Sequence, residues 1–285
     1  MGDNITKCVK NMTDSRLYFG FLKNSMERPG KANIVPERLE SPINPKILLL
    51  ILGIVIAFQF YTTSVSQEDA DTAITVVSIA FPGIAAGAAF YVANKYRGSE
   101  VFGKAYCALG LGLAMNCLGE AIWLMYYFLG QDPYPSIADV FYLSFYGLVL
   151  YHLTKNIKFF RARLDLPTKI TIIAIPIALV SAYSFLSLTE IGEANFDYYY
   201  GLMYVVSSSV TLSAAILGAR MFRKGVLGKA WLLLVLGIVL QTSGDVWYFY
   251  LEINESYYLT HPVDLFWYAS YMTIIYALYK HKKII

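Results

Sequence analysis

The chain has few groups suited to covalent or metal chemistry. Its 285 residues include three cysteines and three histidines. No CxxC pair and no zinc-ligand spacing occurs, which argues against a disulfide framework and predicts no metal site. Cys107 and Cys117 fall on one apolar run and cannot face each other. No Ser/His/Asp arrangement, Walker loop or glycine-rich dinucleotide fingerprint is found, and no cofactor is predicted. The seventh apolar run has no central lysine, because Lys229 lies at its inner end, and this argues against a retinal Schiff base. Charge is also scarce. Only 15% of residues are charged, against about 25% in a soluble domain. The first long apolar run begins near residue 47, too late for a cleaved signal peptide.

What is abundant is apolar and aromatic. Hydrophobic residues make up 57% of the chain and aromatics 16%, with 24 tyrosines. Runs near ~20 residues can cross a bilayer as helices. The pattern predicts an all-α polytopic membrane protein with eight spans, at about 46–64, 73–94, 103–129, 136–154, 168–188, 198–219, 229–251 and 263–280. The sixth, with four serines, is the weakest of them.

Under this reading all 23 Lys and Arg lie on one side. The loops opposite contain only acids, such as Glu68, Asp69, Asp132, Glu190 and Glu255. The positive-inside rule then places both termini in the cytoplasm of a multi-pass cell-membrane protein. Basic residues are scattered over every inner loop, so no nucleic-acid partner is expected; membrane lipids are. Residues 1–44 read as a polar cytoplasmic tail with a short amphipathic stretch, SRLYFGFLKNSM. Gly2 fits a bare myristoylation pattern, and Asn4, Asn11 and Asn254 lie in sequons.

The chain contains itself twice. VFGKAYCALGLGLAMNCLGEAIW, from residue 101, answers to VLGKAWLLLVLGIVLQTSGDVWY, from residue 226, at a constant offset of 125 (229 − 104, 264 − 139). About 14 of 55 aligned positions are identical over 101–155 and 226–280, a self-similarity that points to repeat architecture. Weaker likeness joins GAAFYVANKYRG (87–98) to SAAILGARMFRKG (213–225). Residues 45–164 and 165–285 therefore read as two four-helix repeats. Four spans return the chain to its starting side, so the repeats are parallel, related by an axis along the membrane normal.

Two constellations stand out. Gly112, Asn116, Gly119, Glu120 and Trp123 share one face of the third run, and Gly237, Gln241, Gly244, Asp245 and Tyr248 share one face of the seventh. Each has an amide one turn inward of an acid, between glycines that allow close helix approach. Acids within spans are costly and mark ligand, ion or proton sites, or else fix packing through interhelical hydrogen bonds. Each acid is 16 residues beyond its inner lysine, roughly 24 Å along a helix, in the outer half of the bilayer.

The second constellation is PYPSIADVFYLSFY, answered by LTHPVDLFWYASY. Ser136 with Asp139 forms an S-x-x-D capping box. Asp264 follows Pro262 in the same place, so both acids read first as helix-start caps, with ligand contact as a second, compatible role. Tyr142, Tyr146, Trp267 and Tyr271 follow at helical spacing and read as core or interface belt. His152 and His281 are expected in solvent at inner helix ends. His261 has no second ligand nearby.

PSIADVFYL resembles the P-S-x-A-D-x-x-Y-L stretch in the multi-span sensory region of prokaryotic histidine kinases and diguanylate cyclases. That likeness implies a non-enzymatic sensory or ligand-binding module; with no output domain of its own, it would signal through a separate protein. LGEAIW and SGDVWY more faintly resemble the acid-bearing third and seventh spans of the lysoplasmalogenase family, with Glu120 where Asp is usual. That likeness implies a lipid hydrolase with Glu120 and Asp245 as catalytic acids. The parallel repeats are also compatible with a small proton-coupled transporter. In the sensory reading the ligand-binding residues are Asn116, Glu120, Trp123, Gln241, Asp245, Tyr248, Asp139 and Asp264.

Overall fold

The structure is a computed structural model that describes residues 43–160, 164–222 and 228–282. The 1–44 tail, its amphipathic stretch, Gly2 and the first two sequons lie almost wholly outside the described residues. Among those described, eight helices occur: α1 (Pro45–Ser64), α2 (Gln67–Lys95), α3 (Phe102–Phe128), α4 (Ala138–Phe160), α5 (Leu166–Ile191), α6 (Phe196–Phe222), α7 (Gly228–Ile253) and α8 (Asp264–Lys282). Six of these, all but α4 and α8, are long and apolar enough to cross a membrane. The serine-rich α6 is one of the six. Its hydroxyls turn back to the helix: Ser207, Ser208 and Ser209 donate to the carbonyls of Met203, Val205 and Val206. α4 and α8 fall short because tyrosines and polar groups such as Asp139, His152 and Asp264 interrupt their apolar surface.

Local chemistry sets the helix ends. Asn44, Ser66 and Asp165 cap α1, α2 and α5 by accepting the N–H of Lys46, Asp69 and Thr168, which satisfies donors left open by the first turn. α3 ends on Gly130 at φ 65°, with the Gln131 N–H bonded to the Tyr126 carbonyl and the Gly130 N–H to that of Tyr127. This is a Schellman stop. α7 ends in the same way 125 residues later. Glu255, at φ 46°, takes the glycine position, and the Ser256 N–H reaches the Leu251 carbonyl.

Six helices close into a ring. α2 packs on α3, α3 on α4, α4 on α6, α6 on α7, α7 on α8, and α8 back on α2. α1 lies outside against α2 and α8, and α5 outside against α6 and α7. These two outer helices carry many of the exposed large apolar side chains, among them Leu49, Phe60, Ile173 and Phe185.

The basic end of the ring overturns one expectation. His152 and His281 are buried, at 0% and 1% exposure. His152 Nδ1 donates to the Ala105 carbonyl at 2.9 Å, and its ring stacks on Trp231. Tyr106 Oη lies 2.9 Å from His281 Nε2. The large rings of Tyr96, Tyr106 and Trp231 fill this end and cover both imidazoles.

Candidate functional site

The acidic end of the ring encloses a cavity of about 80 Å³. Its wall comes from α2, α3, α4, α6, α7 and α8, with Pro133, Tyr134, Tyr257 and Leu259 contributed by the loops before α4 and α8. All eight candidate residues line it: Asn116, Glu120, Trp123, Asp139, Gln241, Asp245, Tyr248 and Asp264. The cavity therefore brings together two constellations that are separate in sequence.

Asp245 is the most fully held of the four acids. Tyr146 donates to its Oδ2 at 2.6 Å, and the Trp267 indole donates to Oδ1 at 3.1 Å. The Gln241 amide approaches the same oxygen at 3.5 Å. Glu120, partly buried, lies beside Tyr142. Tyr142 and Trp267 are themselves 125 residues apart, so each acid of the repeated pair meets an aromatic donor from the following helix. Asn116 hydrogen-bonds the Tyr271 hydroxyl.

Asp139 caps its helix and also faces the cavity. Its Oδ2 accepts the Ser136 N–H at 2.7 Å, closing the capping box, and its Oδ1 accepts from Tyr204 at 2.5 Å. Asp264 does not act as the cap. His261 Nδ1 accepts the Val263 N–H at 3.1 Å, just as Ser136 Oγ accepts that of Ala138 at 3.2 Å. The imidazole thus replaces the hydroxyl, and Asp264 is left to accept from Tyr257 at 3.3 Å inside the cavity. Burial lowers the pKa of His261 and so favours the neutral form this cap needs. Burial also pushes the Tyr134 phenol upward, so it faces the cavity as a neutral hydroxyl.

The glycines explain the close packing of the wall. A Cβ at Gly112 would lie 3.3 Å from the Phe145 carbonyl oxygen, and one at Gly237 would lie 3.3 Å from that of Ser270. At Gly119 and Gly244 the neighbour is a ring rather than backbone. The added carbon would fall 2.7 Å from Tyr142 and 2.7 Å from Trp267 Nε1. These two glycines therefore let the rings lie across α3 and α7 and reach the acids.

Sequence reasoning missed Ser78, Tyr204, Phe249 and Tyr257 as wall residues. The weaker repeat held a partial signal, because its offset of 126 (213 − 87) aligns Ser78 with Tyr204 (204 − 78). Among the described residues no lysine, arginine or histidine lines the cavity. Gln241 is 6% exposed, and its Oε1 has no hydrogen-bond partner, a costly state for a buried acceptor. Among the described residues no three His, Cys, Asp or Glu side chains converge to hold a metal ion. Comparison with protein-family models, curated proteins and solved structures finds no match for this chain.

Proposed function

We propose that this protein is an integral membrane ligand-binding or sensory module. It has eight spans in two parallel repeats, with both termini in the cytoplasm and the cavity opening in the outer half of the bilayer. The observation that carries the reading is the single cavity in which Glu120, Asp139, Asp245 and Asp264 meet. Acids gathered in an apolar setting are the usual mark of an intramembrane site. The ring contacts support the duplicated architecture: α4 on α6 and α8 on α2 are counterparts under the repeat. In the sensory form of this reading, a signal would pass to a separate membrane or cytoplasmic protein. The test is to purify the full chain, identify any co-purified molecule by mass spectrometry, and screen amines, lipids and anions for a shift in melting. A protein that carries nothing and responds to nothing is not a ligand-binding module.

A second reading, a lipid hydrolase, is favoured by one observation. Glu120 and Asp245 share the same cavity wall, so one could take a proton from water while the other donates to a leaving oxygen. Unchanged lipid turnover in a Glu120→Gln/Asp245→Asn double variant would remove it.

A further inference from the structure

We infer that the cavity takes a small organic cation with a hydrogen-bond donor, such as a hydroxylated or protonated amine, either free or carried on a lipid head group. This rests on the ligand-binding reading above and specifies its ligand class.

The wall has acceptors and four carboxyl groups but, among the described residues, no cationic partner. Every donor that meets the four acids is neutral: tyrosine hydroxyls, the Trp267 indole, the Gln241 amide and one backbone N–H. A buried carboxyl with only neutral donors is costly as a carboxylate, and its charged form is favoured once a cation lies beside it. The counter-charge is therefore left to the occupant. A bare metal ion does not fit, because no three acids converge. The charge of the occupant must instead be spread over a space bounded on several sides by carboxylates.

The rest of the wall suits such a body. Rings of Trp123, Tyr142, Tyr146, Trp267 and Tyr271 line the same space, and aromatic faces attract organic ammonium groups. The unpartnered Gln241 Oε1 calls for a donor on the ligand.

The test uses the full chain in detergent micelles, with tryptophan fluorescence as the readout because Trp123 and Trp267 face the cavity. The probes are choline, its neutral carbon isostere, lysophosphatidylcholine and lysophosphatidylglycerol. The expected result is saturable quenching by choline and none by the isostere. A response to the choline-headed lipid but not the glycerol-headed one supports the same chemistry with a lipid source. Equal binding of choline and isostere overturns the cation assignment while leaving the ligand cavity standing. No response to any probe overturns both. Asp245→Asn should weaken choline binding by about 10-fold or more, in line with loss of a buried charge partner. Glu120→Gln carries the same test should Asp245→Asn fail to fold. Full affinity in a folded variant of either kind overturns the inference.

Discussion

The Tyr146 hydroxyl on α4 donates to Asp245 Oδ2 on α7 at 2.6 Å, across 99 residues of chain. Its counterpart in the repeat, Tyr271, meets Asn116 and not Glu120. The two aligned tyrosines thus act differently. One fastens the acid, and the other fastens the amide one turn away. Asp245 is held by three side chains from α4, α7 and α8, so it ties the halves together as well as facing the cavity.

Removing that tie should be measurable. Tyr146→Phe is expected to lower stability by about 1–3 kcal/mol, because it leaves a buried carboxylate oxygen short of a donor. A double-mutant cycle with Asp245→Asn, read by thermal unfolding in detergent, should show coupling of about 0.5–3 kcal/mol. Additive losses would mean that the hydroxyl and the carboxylate do not interact.

Gly244→Ala should disturb the site through Trp267, whose indole lies 2.7 Å from the added carbon and also donates to Asp245. Overpacking of this kind costs about 1–3 kcal/mol. Gly147→Ala on α4 is the control. Nothing lies within 4 Å of its Cβ, so it should be neutral or stabilising by up to about 1 kcal/mol through helix propensity. Comparing the melting temperatures of the two variants checks both expectations.

Glu255→Gly should stabilise the fold by about 0.5–1 kcal/mol. Glu255 holds the left-handed position of a Schellman stop that Gly130 fills in the other half, and a side chain there carries a steric cost. Gly130→Glu should act in the opposite direction. Chemical denaturation of both variants decides this.

The His261 cap should depend on pH. Burial lowers the folded-state pKa of the imidazole from its usual value, and only the neutral ring accepts the Val263 N–H. The folded chain binds this proton less readily than the unfolded one. The cap's contribution is therefore complete above about 6.5, the ordinary histidine value, and is lost as pH falls through the lower folded value. Hydrogen exchange at the Val263 amide, corrected for intrinsic rates, should lose protection under acid. His261→Asn should keep the cap and flatten that dependence.

Much of the helix layout could be read locally. Apolar run length located the eight helices to within a few residues, except that α2 starts six residues earlier (73 − 67) and α4 ends six residues later (160 − 154) than expected. The Ser136–Asp139 box was legible because its hydrogen bond spans three residues. The same pattern misled at Asp264, where a histidine imidazole supplies the acceptor usually given by serine. For His152 and His281 sequence position marks only a helix end, whereas burial there depends on rings from α2, α3 and α7.

The sequence by itself determined the helices, the separation of basic from acidic ends, and the two repeated amide–acid pairs, because each depends on spacing along a single helix or across one loop. Only the tertiary structure decided that all four acids enclose one cavity, and which tyrosines reach them. Those contacts depend on the closures of α4 on α6 and α8 on α2. The bonds formed there, Tyr204 to Asp139 and Ser78 to Tyr268, join residues 65 and 190 positions apart, and pairing at that distance is set by how the helices pack, with no local periodicity to reveal it.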